Sequence, residues 1–458
     1  MNPISDRQPS WLAHLCELGN VYEVGGQVRD RLLGIAQSSK DQDYLVIGIA
    51  LEDLVSRLKK HGRVDLVGKS FGVIKFTPPP VEKATPVTYD IALPRREYST
   101  GVGHTDFAVA FDHTCPIQED LVRRDFTINA MARDVVTGEI IDPTGGQKDL
   151  AARQIRFISE QSFLEDPLRM LRAVQFAARF DFTIEEKTKA AIIKHVELIT
   201  TVSAERVAEE LNKLLAKADR PSTGFRLMRE VGLLRLLIPE LDECVGVGQP
   251  GGYHAFDVFE HSLRTVDECP GPLHVKWAAL LHDINKPQAK QVEGDKATFY
   301  GHEKLGARTA KVILRRLRYS NEFIERVVSL VDRHMFTTEV TDKGMRRLIR
   351  RMGQELVFDL LNLRRADVVA QGMGGTTTDV DELEQRIRDE LERKPPFGLR
   401  DLAVDGTVLM EQLHLQPGPR LGNILHYLME QVLDDPALNT RDTLLTLAAE
   451  FNARYDTE

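Results

Sequence analysis

Apolar residues follow one rhythm up to about residue 150 and another after residue 165, so the pattern alone divides the chain into a head of strands and a helical remainder. Short apolar runs bounded by turn residues predict strands at Val21-Tyr22-Glu23-Val24 and Asp43-Tyr44-Leu45-Val46-Ile47. Further strands are expected at Val64 to Val67, Gly72 to Thr77, Val87 to Ala92, and Glu139 to Asp142 before Pro143-Thr144-Gly145-Gly146. Gly25 and Gly26 read as a tight turn, Gln27 to Leu33 as a helix, and Gly34 as its left-handed stop. From Glu165 onward the spacing is helical, as in Leu168-Met170-Leu171-Val174 and Val207-Leu211-Leu214-Leu215. Gly- and Pro-rich stretches at Gly246 to Gly252 and Gly372 to Thr376 mark boundaries. The expectation is an α/β head at residues 1–155 followed by all-α segments at 156–245, 246–375 and 376–458.

A chain of 458 residues is too long for one core, which agrees with that division. Hydrophobic content of 42% and charged content of 28% are those of an ordinary soluble protein. No apolar run is long enough to span a bilayer, and Met1 to Arg7 lacks the profile of a secretion signal, so a cytoplasmic protein with no membrane partner is expected. Cys16, Cys115, Cys244 and Cys269 show no metal-type pairing and read as reduced thiols. A net charge of −9 leaves nucleic-acid binding to a local basic surface, for which Lys304 to Arg318 and Lys343 to Arg351 are candidates. Both read equally well as solvated helix faces.

The Gly25-Gly26 turn offers backbone N–H groups and the positive end of a helix dipole, with Arg29 one turn inside, which suits a phosphate. Asp41 and Asp43 are two apart at the start of a strand, so both side chains leave one face about 7 Å apart. Such a pair can hold two divalent cations roughly 4 Å apart, as phosphoryl transfer requires. Each signal alone is weak, since an Asp-x-Asp is usually a solvated turn. Downstream, Arg123-Arg124-Asp125-Phe126-Thr127-Ile128-Asn129 places two arginines at a helix entrance, where they can donate to a triphosphate. Asp125 and Asn129, four apart on one helical face, can hydrogen-bond a ribose. In Glu165-Asp166-Pro167-Leu168-Arg169-Met170-Leu171-Arg172 a spacing of three lines Asp166, Arg169 and Arg172 along one helix face. A carboxylate accepts from an amino group and a guanidinium donates to a ring nitrogen, so this pattern fits cytosine and adenine. Uracil and guanine present a carbonyl beside an N–H and would leave both side chains mismatched.

This order of motifs resembles the nucleotidyltransferase fold of the polymerase β superfamily, in its class II tRNA nucleotidyltransferase and poly(A) polymerase branch, and within it the bacterial CCA-adding enzymes. The resemblance implies a mixed sheet with helices in the head, and addition of CCA to the tRNA 3′ end from CTP and ATP with release of pyrophosphate. Partial CC-adding or A-adding enzymes share every head motif, and a poly(A) polymerase is the next alternative. Carried over by position, Asp41 and Asp43 would hold Mg²⁺, with Asp90 as a third carboxylate on a neighbouring strand. Gly26 and Arg29 would contact the triphosphate, Arg124, Asp125 and Asn129 the nucleotide, and Asp166, Arg169 and Arg172 would choose the base. Gln175 departs from the pattern, since many relatives have a third arginine there. Gly101-Val102-Gly103-His104 falls where the family has a loop needed for switching from C to A. The tail at 376–458 would help hold tRNA, and no obligate protein partner is evident.

A second constellation runs through His261, His282-Asp283, His302, His334 and Asp367. An adjacent His-Asp on a helix, with a distant His and Asp, resembles the HD metal-dependent phosphohydrolases. That resemblance implies a second metal centre and a phosphohydrolase side activity, or, as an alternative function for the whole chain, an HD phosphohydrolase with an inert head. Imidazoles beside carboxylates suit Ni²⁺, Mn²⁺ or Co²⁺ better than Mg²⁺. Asn285 stands where that superfamily usually has glycine.

Overall fold

The computed structural model describes residues 9–35, 42–67, 73–80, 87–99, 107–249, 255–293, 296–393 and 395–455, in two compact units, Met1–Leu237 and Ile238–Glu458. Asp41 and the Gly101 to His104 segment lie outside the described residues.

In the first unit the head strands are β1 (Asn20–Val24), β2 (Gln42–Ile47), β3 (Arg63–Val67), β4 (Val73–Thr77), β5 (Tyr89–Ala92), β6 (Arg95–Ser99), β7 (Phe107–Phe111), β8 (Ala132–Asp134) and β9 (Ile140–Ile141). Seven of them form one sheet in the order β3-β4-β5-β2-β1-β8-β9, while β6 and β7 pair as a separate antiparallel hairpin. The sheet is mixed, since β2 and β5 run parallel and the other pairs antiparallel. Successive residues of a strand point to opposite faces, and both faces here are covered. Val21, Tyr44, Val46, Phe76 and Ile91 pack with Trp11, Leu12 and Leu15 on one side, while Tyr22, Val24 and Leu45 pack with Ile117 and Leu121 on the other. Strands buried on both faces read as continuous apolar runs, which is why they stand out in the sequence.

The sheet leads into helices. Leu168–Phe180 buries Met170, Leu171, Ala173, Val174 and Ala177, and packs against Ala204–Lys217 and Pro221–Glu230. A Cβ at Gly224 would lie 2.4 Å from Leu214 Cδ1, so glycine there lets the last two helices approach closely. The almost wholly helical region after Glu165 carries three short strands: β11 (Thr183–Ile184) pairs in parallel with β10 (Gln154–Ile155) at the end of the head, and β12 (Gln291–Glu293) pairs antiparallel with β13 (Lys296–Thr298).

The second unit is built on helices Val258–Glu268, Leu273–Leu281, His302–Arg316, Asn321–Arg333 and Leu356–Ala370, with Asp342–Met352 and Thr378–Glu392 to Arg441–Tyr455 beyond them. Asp257 starts the first by accepting the Glu260 N–H at 2.7 Å. In Leu273–Leu281 only His274 and Lys276 are polar, and Val275, Trp277, Ala278, Ala279, Leu280 and Leu281 are fully buried. A helix apolar over its whole second half belongs at the centre of its unit, and it delivers the buried His282 and Asp283 there. No helix among the described residues is long and apolar enough to cross a membrane.

Candidate active site

A cavity of about 650 Å³ in the first unit is walled by the glycine turn, the start of β2, the Arg124 to Asn129 segment, and the helices Leu168–Phe180 and Ala204–Lys217. Eight basic side chains line it against five acidic ones, a balance that favours an anion.

Gly25 takes φ of 70°, and a Cβ there would sit 2.9 Å from Arg124 Nη1, so the turn needs glycine for its backbone and for its neighbour. The following helix is Gly26–Leu32, and Gly34 ends it at φ of 69°. Arg29 is buried rather than held out toward solvent. It contacts Asp30 at 2.6 Å, donates through Nη1 to Asn129 Oδ1 at 2.6 Å, and lies over the Phe180 ring. Burial pulls its guanidinium below the usual arginine range, against the opposing pull of Asp30.

Asp125 and Asn129 meet without the helix that their spacing of four predicted. Phe126 is extended, bridging to Phe157, and only Thr127–Asn129 turn, as a 3₁₀ segment. The Asn129 amide donates to Asp125 Oδ1 at 2.9 Å. Arg172 donates to Asp125 Oδ2 through Nε and Nη2, and through Nη1 to Glu210 at 3.3 Å, while Lys213 holds Glu210 at 2.7 Å. One buried network therefore runs from Asp30 through Arg29, Asn129, Asp125 and Arg172 to Glu210 and Lys213.

Asp166, Arg169 and Arg172 do not share a helix face as expected. Asp166 is extended, at φ of −142°, because the residue before a proline is disfavoured in the helical region, and the helix starts after Pro167. From that position its Oδ1 accepts the Leu168 N–H at 3.3 Å and its Oδ2 pairs with Arg206 at 2.8 Å. Arg169 donates to the Arg123 carbonyl at 3.2 Å. The cavity still brings Asp166, Arg169 and Arg172 together with Gly26, Arg29, Asp43, Arg124, Asp125 and Asn129. Gln175 lines it too, one turn beyond Arg172.

Asp43 is exposed at the head of β2, and its register partner on the parallel strand β5 is Asp90. Register partners project from the same face, so two carboxylates share one edge of the sheet. Gln27 Nε2 ties the turn's helix to this edge by donating to the Asp43 carbonyl. Carboxylate oxygens in this setting fit a hard divalent cation. Asp90 is 3.8 Å from Lys75.

The second unit brings all six residues of the other constellation together. His261 sits on Val258–Glu268 and Asp367 on Leu356–Ala370, whereas His282 caps Leu273–Leu281 and Asp283 follows in the turn, so the adjacent His-Asp is not within a helix. His302 opens one helix and His334 closes another. Asp283 is central: Oδ2 lies 3.1 Å from His282 Nε2 and 3.5 Å from His261 Nε2, while Oδ1 lies 3.3 Å from His302 Nε2 and 3.7 Å from His334 Nε2. His261 Nε2 is also 3.1 Å from Asp367 Oδ1.

The tautomers follow from the outer partners. Nδ1 of His282, His302 and His334 donates to the carbonyls of Ala279, Phe299 and Val331 at 2.8, 2.7 and 2.7 Å. A neutral ring with its proton on Nδ1 keeps a lone pair on Nε2. Yet His302 and His334, both so fixed, face each other through Nε2 at 3.2 Å. Opposed lone pairs repel unless a cation lies between them, so the donor set fits a metal ion, in two trios sharing Asp283. Burial holds the His334 ring below the usual histidine range, and the Asp283 carboxyl lies far below its own because, against its burial, the Lys286 ammonium sits 2.7 Å away. Asn285 has φ of −105°, an ordinary backbone that makes no demand for glycine.

Arg206, Glu210 and Lys213 went unmarked in the sequence because they lie in an amphipathic helix with no motif of its own. Of the two basic stretches, Lys343 to Arg351 works largely within the fold: Arg346 pairs with buried Glu390, and Arg347 and Arg350 share Glu430. In the other, Arg316 pairs with Glu240.

Residues 21–156 match the family model described as the poly A polymerase head domain, residues 181–245 one described as a probable RNA and SrmB-binding site of polymerase A, and residues 297–448 a tRNA nucleotidyltransferase domain 2. The multifunctional CCA protein of Cupriavidus metallidurans is 39% identical over 342 residues, 72% of this chain and 78% of that protein. The A-adding tRNA nucleotidyltransferase of Deinococcus radiodurans is 35% identical over 69% of this chain and 75% of its own length. The fold is shared with the Bacillus stearothermophilus CCA-adding enzyme in complex with CTP, at 23% identity and a TM-score of 0.70 over 98% of this chain and 99% of that one. The Thermotoga maritima CCA-adding enzyme complexed with tRNA has the fold too, at 23% identity and a TM-score of 0.55 over 98% and 97% of the two chains. On these matches the chain belongs to the tRNA nucleotidyltransferase family that includes the multifunctional CCA proteins.

Proposed function

We propose that this nucleotidyltransferase adds CCA to the 3′ end of tRNA, using CTP and ATP and releasing pyrophosphate. The observation that carries the reading is a single cationic cavity with Asp43 at one wall and the Asp166 and Arg169 pair at another. Asp166 accepts from the exocyclic amino group of cytosine or adenine, and Arg169 donates to the adjoining ring nitrogen. Asp125, Asn129 and Arg172 hold one another and so fix the walls between which the sugar lies. Arg29, Arg124 and the Gly25-Gly26 turn face the triphosphate. Asp41, Asp43 and Asp90 are the residues that would hold Mg²⁺, whose chemistry when bound is to favour the attacking 3′-oxygen and the departing pyrophosphate. The 3′-oxygen bonds to the α-phosphorus as the bond to pyrophosphate breaks. Residues 156–245 select the base, residues 376–458 hold tRNA, and tRNA as substrate assigns the work to the cytoplasm.

The test is to incubate the protein with tRNA transcripts ending at the discriminator base, at C and at CC, with each nucleotide separately. Two C additions followed by one A support the reading. Addition of A to the CC transcript alone would make the protein an A-adding enzyme like its Deinococcus relative, and a long A tail would make it a poly(A) polymerase.

A second reading rests on the opposed imidazoles: residues 246–375 form an HD-type centre that hydrolyses phosphate esters. His261, His282, Asp283 and Asp367 would hold one ion and His302 and His334, with Asp283, a second. Ni²⁺, Mn²⁺ or Co²⁺ suits this donor set and, when bound, supplies Lewis-acid polarisation of a phosphoryl oxygen.

A further inference from the structure

Beside the histidine and aspartate cluster lies a cavity of about 420 Å³ whose wall includes two cations, Lys286 and Arg364. They are differently placed. Lys286 is nearly buried and already committed, to Asp283 at 2.7 Å and Gln249 at 2.6 Å. Arg364 stands on Leu356–Ala370 three residues before Asp367, a spacing that sets both on the same helix face. Its side chain is 26% exposed, and among the described residues its guanidinium makes one hydrogen bond, from Nη1 to Asp367 Oδ2 at 2.9 Å. Its Nε is buried with no partner. A guanidinium has five donors in a fixed fork, and on this cavity-lining side chain Nη1 and Nη2 keep N–H groups beyond the one spent on Asp367.

We propose that Arg364 grips the phosphate of the substrate of this site and makes it select phosphomonoesters over phosphodiesters. The inference rests on the HD-type reading above. Charge points the same way. Asp283 and Asp367 are balanced by Lys286 and Arg364, so with neutral imidazoles the positive charge of bound divalent ions stays uncompensated and draws the more negative ester. A monoester near neutral pH is a dianion and a diester a monoanion. Geometry adds to this. A monoester has three non-bridging oxygens, and one turned to the cluster leaves two for the parallel N–H groups of the fork. A diester keeps only one for Arg364. In the reaction the oxygen of water bonds to phosphorus, the ester P–O bond breaks, and the alcohol leaves with a proton from that water, giving inorganic phosphate.

The experiment uses full-length protein reconstituted with Ni²⁺, Mn²⁺ or Co²⁺, comparing wild type with Arg364→Ala and Arg364→Lys. Hydrolysis of para-nitrophenyl phosphate and of bis(para-nitrophenyl) phosphate is measured, together with calorimetric binding of inorganic phosphate and the content of retained metal. Arg364→Ala should lower kcat/KM for the monoester and weaken phosphate binding by about tenfold or more, the worth of a lost charge-assisted bond, with much less effect on the diester. Arg364→Lys should restore part of the monoester rate, because an ammonium supplies charge without the fork. Metal content should be the same in all three. An equal fall for both esters, unchanged phosphate affinity, or metal lost from both variants would overturn the role of Arg364. Wild type that retains no metal or hydrolyses neither ester would instead sink the HD-type reading itself.

Discussion

Arg172 closes on Asp125 with two donors, Nε at 2.9 Å and Nη2 at 2.6 Å from the same oxygen, Oδ2. The other oxygen is filled as well, by the Phe126 N–H at 2.8 Å and the Asn129 amide at 2.9 Å. Asp125 is therefore the joint between the Thr127–Asn129 segment and the helix Leu168–Phe180. Burial would raise its carboxyl, but Arg172, Asn129 and the Phe126 N–H outweigh it and hold the group below the usual carboxylate range.

That depression has a definite sign. A carboxyl whose folded value is lowered gives stability that is fully present above its unfolded value of about 4 and is lost as pH falls through the folded one. Asp125→Ala should cost on the order of 3 kcal/mol at neutral pH, at the low end for a broken buried pair because Arg172 keeps Glu210. Urea unfolding from about pH 6 down to pH 3 should show wild type losing its advantage over the variant as acid is added. Parallel curves would mean that the pair does not couple to folding.

The carboxylate edge makes a different demand. Asp43 is exposed on β2 with Asp90 as its partner in register, so removing it disturbs little packing. Asp43→Ala should lower nucleotide addition by on the order of a hundredfold or more, with tRNA affinity and thermal stability nearly unchanged. Incorporation at the wild-type rate would take Asp43 out of the metal site.

Nucleotide choice is expected to reside in Asp166 and Arg169. Asp166→Ala removes the acceptor for the amino group and with it the penalty on UTP and GTP. The ratio of kcat/KM for CTP over UTP should fall by roughly 10- to 100-fold, the worth of about 1–3 kcal/mol for an unsatisfied polar group. A slower reaction with all four nucleotides in unchanged proportion would show that Asp166 supports the cavity and reads nothing.

What the sequence disclosed follows from how local each signal is. The strands were legible because Val21, Tyr44, Val46 and Ile91 bury one face while Tyr22 and Leu45 bury the other. The turn was legible because only glycine takes φ of 70° beside Arg124. The geometry of Asp166 was misread although its cause was in plain sight, since Pro167 bars the preceding residue from the helix. Asp125 and Asn129 were set on a helix that tertiary bonds replace, with the Thr127 N–H donating to the Arg156 carbonyl at 3.0 Å. Arg206 and Glu210 had no local signal at all, because what defines them is a partner about forty residues away in the chain. The six histidines and aspartates were legible as a set, but not that Asp283 would stand between both imidazole pairs.

The two proposed centres lie in separate compact units and would use different donors, Asp43 and Asp90 in one and mainly imidazoles in the other. Damage to one should therefore spare the other. His282→Ala combined with Asp283→Ala removes a ligand from the first trio and the carboxylate shared by both, so retained transition metal should fall to background after reconstitution and dialysis. Lys286 would then lose its 2.7 Å partner in a nearly dry site, which predicts a destabilised second unit even where the first is intact. CCA addition, measured at a temperature where that unit is still folded, should stay close to wild type. Equal metal content in wild type and the double variant would make the cluster a scaffold held by hydrogen bonds. A loss of nucleotide addition in step with the loss of metal would instead show that the two centres are coupled.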